Sequence, residues 1–148
     1  MKIIRYPQHH PVTLPSAVTI GNFDGVHQGH QALIRQTIEV SRLQSLQSVV
    51  VTMEPLPVQY FKGRFEISLL TPFKQKARLI RNLGADVLCV LNVNQILARL
   101  SAEEFCGQIL DRGLKAKHIV VGHDFKFGVN RTGDVAFLAD WGRSQGIK

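Results

Sequence analysis

Two histidines set three apart, His27 and His30, with Gly29 between them, are the residues of this chain best suited to chemistry. They follow an apolar run, Ala17-Val18-Thr19-Ile20, and the turn Gly21-Asn22-Phe23-Asp24-Gly25-Val26. A helix-like stretch begins near Gln31. Histidines at i and i+3 fall on one face of a helix. The first turn of a helix also offers free backbone N–H groups and the positive end of its dipole, and both favour an anion. Two imidazoles beside such a helix start suit a phosphate group. The run is not a Walker loop, which needs Gly-Lys-Ser/Thr, nor a zinc-protease motif, which needs Glu after the first His and wider spacing. Two solvated surface histidines are the plainer alternative; the turn glycines and the preceding strand argue against it.

Two other runs could carry chemistry. Thr52-Met53-Glu54-Pro55-Leu56-Pro57, followed by Tyr60 and Phe61, reads as a long loop at a strand end, a common place for function. Its prolines stiffen it, and its aromatics could pack on a flat ring. Phe61 and Phe65 could instead pin the loop to the core, and Lys62 and Arg64 are ordinary exposed loop bases or partners for a phosphate. The second run is Val120-Val121-Gly122-His123-Asp124-Phe125-Lys126-Phe127-Gly128, then Arg131, Gly133 and Asp134. Asp124 could hold a ligand hydroxyl or a basic partner, and Phe125 could stack on a ring. Arg131 and Asp134 could touch a ligand or form a structural pair. His123 reads as a bystander.

Strand-like and helix-like runs alternate around these motifs. Residues 17–22 read as a strand and 29–45 as a helix with Leu33, Ile34, Ile38 and Val40 on its apolar side. Val49 to Met53 is an unbroken apolar run, typical of a parallel sheet. Thr71-Pro72 reads as an N-cap followed by proline at the first helical position, and Gly84 as the stop of that helix. Asp86 to Val93 is a third strand. Ser101 and Glu104 form a capping box for a helix ending near Gly113 or Leu114. Lys117 to Gly122 is a fourth strand and Asp134 to Gln145 a final helix. This alternation implies a Rossmann-like three-layer α/β/α sandwich with a parallel sheet. Ligands of such sheets gather at the C-terminal ends of the strands, where all three motifs fall.

Composition bounds the partners. The chain has 148 residues, enough for one domain with a real core. No apolar run approaches the roughly 20 residues of a membrane span, and Met1 to Pro11 lacks the apolar centre of a signal peptide. Cys89 and Cys106 form no CxxC pair and read as buried thiols of a reducing, cytoplasmic protein. The 18 basic residues outnumber the 11 acidic ones, for a net charge of +7, which suits polyanions. The bases are scattered and no nucleic-acid motif accompanies them, so a small phosphorylated ligand is favoured over nucleic acid.

The run Gly21 to His30 resembles the HxGH signature of the nucleotidylyltransferase superfamily. In its fuller form it resembles the adenylyltransferase module of prokaryotic FAD synthetase, a family that usually fuses this module to a riboflavin kinase. The Glu54-Pro55-x-Pro57 loop and the Gly122 to Asp134 pattern carry the same resemblance, which covers nearly all of the chain. The resemblance implies transfer of AMP from ATP to FMN, giving FAD and pyrophosphate, with Mg²⁺ accompanying ATP. It implies His27 and His30 as catalytic groups and Gly21, Asn22, Phe23, Asp24, Gly25 and Gly29 as a nucleotide-phosphate cradle. Asp24 keeps a plainer alternative as a turn or cap residue. Pro57, Phe61, Asp124, Phe125 and Arg131 would meet the flavin. No metal ligands follow from it. Leu69 and Gln75 stand where the family often has Arg and Glu. Residues 1–148 would be one adenylyltransferase domain, cut before the family's second, Ser/Thr-rich phosphate signature and before any kinase barrel. Two rivals remain: another HxGH transferase with a different phosphate acceptor, and a flavin- or nucleotide-binding module without catalysis.

Overall fold

A run of valines without polar alternation has both faces to bury, which suits the middle of a parallel sheet covered by helices. Gln47–Met53 is such a strand, with Val49, Val50 and Val51 fully buried. The structure is a computed structural model and describes residues 1–54 and 71–148. In chain order the elements are β1 (Lys2–Arg5), β2 (Ser16–Ile20), α1 (Gln28–Leu43), β3 (Gln47–Met53), α2 (Phe73–Leu83) and β4 (Val87–Leu91). There follow α3 (Gln95–Arg99), α4 (Ala102–Phe105, continued by a π-helical stretch Cys106–Gly113), β5 (Ala116–Val120), a 3-10 turn (Val129–Arg131) and α5 (Val135–Gln145). The described strands are all parallel, in the order β1-β4-β3-β2-β5.

Side-chain alternation along the strands sorts the core into two layers. On one face Val50, Leu88 and Val90 pack under Ile34 and Ile38 of α1 and Ala77 and Ile80 of α2. On the other, Val18, Ile20, Val51, Cys89 and Leu91 pack under α4 and α5 through Phe105, Ile109, Leu110 and Leu138. The expected three-layer α/β/α sandwich is therefore the fold. Strand order reverses direction at β2: the chain steps through β3 to β4 on one side, then returns to lay β5 on the other. In open parallel sheets ligands gather beside such a switch point, at the C-terminal ends of the strands.

Several local expectations change. β1 is an edge strand that the sequence pattern did not mark; it pairs with β4 through Lys2↔Val87 to Arg5↔Val90. α1 begins at Gln28, so His27 is its N-cap rather than a residue of its first turn. Pro72, not Thr71, holds the cap position of α2, and no side chain caps that helix. Thr71 has another partner, in the turn after β2. The Ser101–Glu104 capping box forms as read, but the helix widens into π geometry from Cys106. Beside β5, the Lys148 carbonyl accepts from Ile119 N–H at 2.7 Å and its N–H donates to the Lys117 carbonyl at 3.2 Å. Both thiols are buried as read, and burial pushes each up to about 12, which leaves them protonated and unreactive at neutral pH.

Candidate active site

The turn after β2 departs from ordinary backbone. Phe23, Gly25 and Val26 all have left-handed φ, at 51°, 86° and 43°. For a ring-bearing and a β-branched residue this is a sparsely populated conformation, costing about 1–3 kcal/mol each. The surroundings must over-determine it. Phe23 buries its ring completely, edge-on to His30 at 5.3 Å between centroids, and Val26 is buried beside it. These two side chains are apolar pegs beneath the turn. Phe23 thus shapes the turn through its backbone, with its ring on the core side.

Polar bonds fix the turn from the α2 side. The Gly25 N–H donates to Thr71 Oγ1 at 3.0 Å. The Thr71 N–H and hydroxyl donate to Asp24 Oδ1 at 3.0 and 3.3 Å. Asp24 therefore holds the turn to the residue before α2. Below them, Lys76 reaches from the sheet-facing side of α2. Its Nζ donates to the Asn22 carbonyl at 3.1 Å and to Thr52 Oγ1 at 3.0 Å, and the Thr52 hydroxyl donates to the same carbonyl at 3.0 Å. Lys76 is only 3% exposed. Burial holds its ammonium below the usual lysine range, against the opposing pull of Glu54 and Asp24. In the sequence Lys76 stands out only as one of many scattered bases. The available signal was its spacing: it stands four residues before Ile80, on the helix stripe that faces the sheet.

The histidines stand at the open end of this arrangement. His27 caps α1, its Nδ1 accepting from the His30 N–H at 3.3 Å. With Nδ1 an acceptor, the neutral ring carries its proton on Nε2, which remains available as a donor. The two rings stack at 3.5 Å between centroids, 22° from parallel. Gly29 permits this: a Cβ there would sit 3.1 Å from His27 Cε1. Burial, with His27 second and Lys76 behind it, lowers the His30 pKa below 6.5; Asp24 opposes the shift. Near neutral pH His30 is then an uncharged ring. Beside the rings, the first N–H groups of α1 lack intrahelical acceptors. Ring donors, backbone N–H groups and a helix dipole converge where an anion would be held.

The loop after β5 is built differently. Phe127 lies buried among Phe105, Phe125 and Phe137, with centroid separations of 5.4, 5.3 and 6.0 Å. Phe127 and Gly133 exchange backbone bonds of 3.1 and 2.8 Å. Asp124 and Arg131 are exposed, while Phe125 is half-buried. Asp134 does not pair with Arg131: it caps α5 by accepting from Phe137 N–H at 2.8 Å and stands 3.9 Å from Lys126. Arg131 instead follows Asn130 through two left-handed residues, both at φ 55°. Pro57, Tyr60, Phe61, Lys62, Arg64 and Phe65 lie outside the described residues. Among the described residues no group of three or more His, Cys, Asp or Glu gathers to hold a metal ion. Two hollows, of about 280 Å³ beside Arg35, Arg42 and Leu83 and about 330 Å³ beside Arg5, Val12 and Gln47, involve none of these groups.

A parallel α/β/α sheet with paired histidines at its switch point is the nucleotidylyltransferase type of fold. The FAD synthetase family model matches residues 9–148. The chain belongs to the FAD synthetase family. A bifunctional riboflavin kinase/FMN adenylyltransferase of Pseudomonas fluorescens is 42% identical over 129 residues, which cover 87% of this chain and 41% of that one. The protein so named from Escherichia coli K12 is 36% identical over 130 residues, covering 88% and 42%. One from Buchnera aphidicola subsp. Schizaphis graminum is 34% identical over 133 residues, covering 90% and 43%. The chain thus spans less than half the length of these relatives. Among solved structures, the crystal structure of a macrolide-efflux protein from Streptococcus pneumoniae superposes with a TM-score of 0.77 at 25% identity, over 95% of this chain and 47% of that one. No described helix here is long and apolar enough to cross a membrane.

Proposed function

We propose that this chain performs FMN adenylyl transfer, joining AMP from ATP to the phosphate of FMN and releasing pyrophosphate. The observation that carries the reading is the stacked His27–His30 pair at the start of α1, set at the switch point of the sheet. In this reaction an FMN phosphate oxygen attacks the α-phosphorus of ATP, and the bond to the bridging oxygen of the pyrophosphate breaks. Negative charge grows on the α-phosphate oxygens. His27 Nε2–H, the uncharged His30 ring and the free N–H groups of α1 donate to those oxygens as the charge develops. Gly21, Asn22, Asp24, Gly25 and Gly29 shape the cradle through backbone and turn contacts, and Phe23 supports it from below. No covalent enzyme intermediate is needed; positioning and electrostatics suffice.

Asp124 and Arg131, exposed on the neighbouring loop, with half-buried Phe125, are the described candidates for the flavin side; Pro57 and Phe61 complete that proposal. Mg²⁺, when bound, neutralises ATP phosphate charge and keeps mostly phosphate and water ligands. Asp24 already serves the turn through Thr71. We place the reaction in the cytoplasm, where buried, unpaired thiols persist. The relatives' bifunctional names support a riboflavin kinase unit as the covalent partner that supplies FMN. The test is incubation with ATP, Mg²⁺ and FMN, reading FAD and pyrophosphate, with riboflavin phosphorylation in parallel. A longer version carrying the second phosphate signature is assayed beside it. FAD from either version supports the reading, and its absence from both overturns it.

A further inference from the structure

We propose that Lys76 is a positioning residue for the histidine turn, holding the Asn22 carbonyl from beneath and setting the field in which His27 and His30 meet a phosphate. The proposal rests on the phosphate-site reading given above and deepens it. A lysine on the buried stripe of a helix is costly, because ordering its long side chain and desolvating its charge both oppose folding. An apolar residue there, in line with Ile80, would avoid the cost of desolvating a charge. The ammonium is instead delivered to the C-terminal ends of two strands. It binds the Asn22 carbonyl at the end of β2 and the Thr52 hydroxyl near the end of β3. Thr52 bonds that same carbonyl, so three groups close into one small network.

The Asn22 carbonyl immediately precedes Phe23, the first of the left-handed residues. Fixing that peptide plane fixes the direction in which the turn leaves β2. Thr71 grips the next segment through Asp24 and Gly25. α2 thereby holds the turn at two points, one before its first residue and one on its fourth. The histidines, at the far end of the same turn, inherit their position from both.

The second effect is electrostatic. Four charged or titratable groups surround this network: His27 and Asp24 on the turn, Lys76 on α2 and Glu54 after β3. His27 and Lys76 lower the proton affinity of His30, and Asp24 raises it. Glu54 and Asp24 in turn raise that of Lys76. Lys76 is too deeply buried to touch a ligand, yet its charge lies below the place where phosphate would sit. It acts through the turn, so it is not a catalytic residue.

The test compares the wild-type chain with Lys76→Met and Thr52→Val, without ligand and then with ATP, Mg²⁺ and FMN. Nitrogen-15 NMR of the histidine rings gives the titration midpoints; amide shifts report the turn. Lys76→Met should raise the His30 midpoint and move the amides of Phe23 to His30, while the amides of β4 and α5 stay in place. In turnover, kcat should fall about ten- to hundredfold, the scale of a small misplacement of reacting groups, and the KM for FMN should change much less. Thr52→Val removes one of the two Lys76 acceptors at nearly constant volume. It should move the same amides by less, and it decides the matter where Lys76→Met does not fold. Unchanged turn amides and an unchanged His30 midpoint in a folded variant overturn the proposal. A wild-type chain that makes no FAD tells against the functional reading instead, and the ligand-free titration still decides the role of Lys76.

Discussion

The turn after β2 and the loop after β5 leave neighbouring strands, yet they use their residues in opposite ways. In the turn, the histidine rings stack at the start of α1 and the supports lie beneath: Phe23 and Val26 as apolar pegs, Lys76, Thr52 and Thr71 as polar ties. In the loop, the aromatic rings are largely consumed by packing on one another around Phe127. Its glycines serve the same end. A Cβ at Gly133 would lie 2.7 Å from Phe127 Cζ, and one at Gly128, where φ is 79°, would lie 2.8 Å from the Ala102 backbone nitrogen. Two motifs of similar weight in the sequence therefore differ in kind. One sets its candidate phosphate-site groups on a strained frame, and the other is chiefly a frame.

Substitutions that should separate them most are at the histidines. His30→Ala should slow FAD formation by about a hundredfold or more, the scale of losing one donor to a developing oxyanion. Its melting temperature should stay close to wild type, because the ring is only half-buried. His27→Ala should lose similar activity and also a cap contact, worth at most about 1 kcal/mol. Steady-state FAD assays beside thermal melts decide this. Loss of stability without loss of turnover per folded molecule would put the histidines among the frame residues.

The opposite signature belongs to Gly133→Ala and Gly128→Ala. Each introduces a methyl where ring or backbone already stands, and at Gly128 the positive φ adds strain. Stability should fall by about 2–4 kcal/mol, within the range of overpacking and backbone strain. Turnover per folded molecule should change less than in the histidine variants. Urea titration and the FAD assay together test this; an unshifted midpoint would mean that the loop relaxes freely and is not a frame.

How much of this was legible differs between the two regions for physical reasons. The valine run of β3, the Ser101–Glu104 capping box and the Gly84 stop each arise from neighbours in sequence, and the structure has all three. β1 escaped notice because Lys2-Ile3-Ile4-Arg5 is short and flanked by charge, and only its pairing with β4 makes it a strand. Thr71 before Pro72 has the look of a helix cap, but Asp24, 47 residues away, takes both its N–H and its hydroxyl. Here a tertiary partner wins over local preference. The histidine pair was legible in residue type and spacing. Its support was not, since left-handed Phe23 and Val26 contradict their own propensities and Lys76 looks like any surface base. Of the two readings of Arg131 and Asp134, the structural pair does not form, because Asp134 serves as the α5 cap, a role that Asp fills readily at a helix start.

Phe125→Ala sharpens the comparison at its boundary. The ring stacks on Phe127 at 5.3 Å, 15° from parallel, and packs against the core while remaining partly open. Truncation should cost about 1–3 kcal/mol of stability, less than deleting a fully buried phenylalanine. Flavin fluorescence titration then asks whether the loop also reads the ligand. Weaker FMN binding with unchanged ATP binding makes Phe125 a contact on the flavin side. Equal weakening of both leaves it a frame residue.

The smallest effect is the pH dependence of stability, and it too divides between the regions. His30 in the turn has its pKa lowered by burial first and by His27 and Lys76 after that, with Asp24 opposing. His118 on β5, the strand that leads into the aromatic loop, has its pKa lowered by burial and then by Lys148. In both, the folded value lies below the 6.5 of the ordinary imidazole, so in the interval between them the unfolded chain binds more protons. Stability from each ring is therefore fully present above pH 6.5 and is lost as pH falls through the folded value. Melting temperature should decline as pH falls below about 6.5 for this reason. His30→Gln and His118→Gln should each flatten part of that decline, with no change in slope above pH 6.5. A wild-type melting curve that is level across the interval, or that rises on acidification, would contradict the burial of both rings. If only His118→Gln flattens the decline, the turn exposes its imidazole to water more than the stacked geometry of His27 and His30 requires.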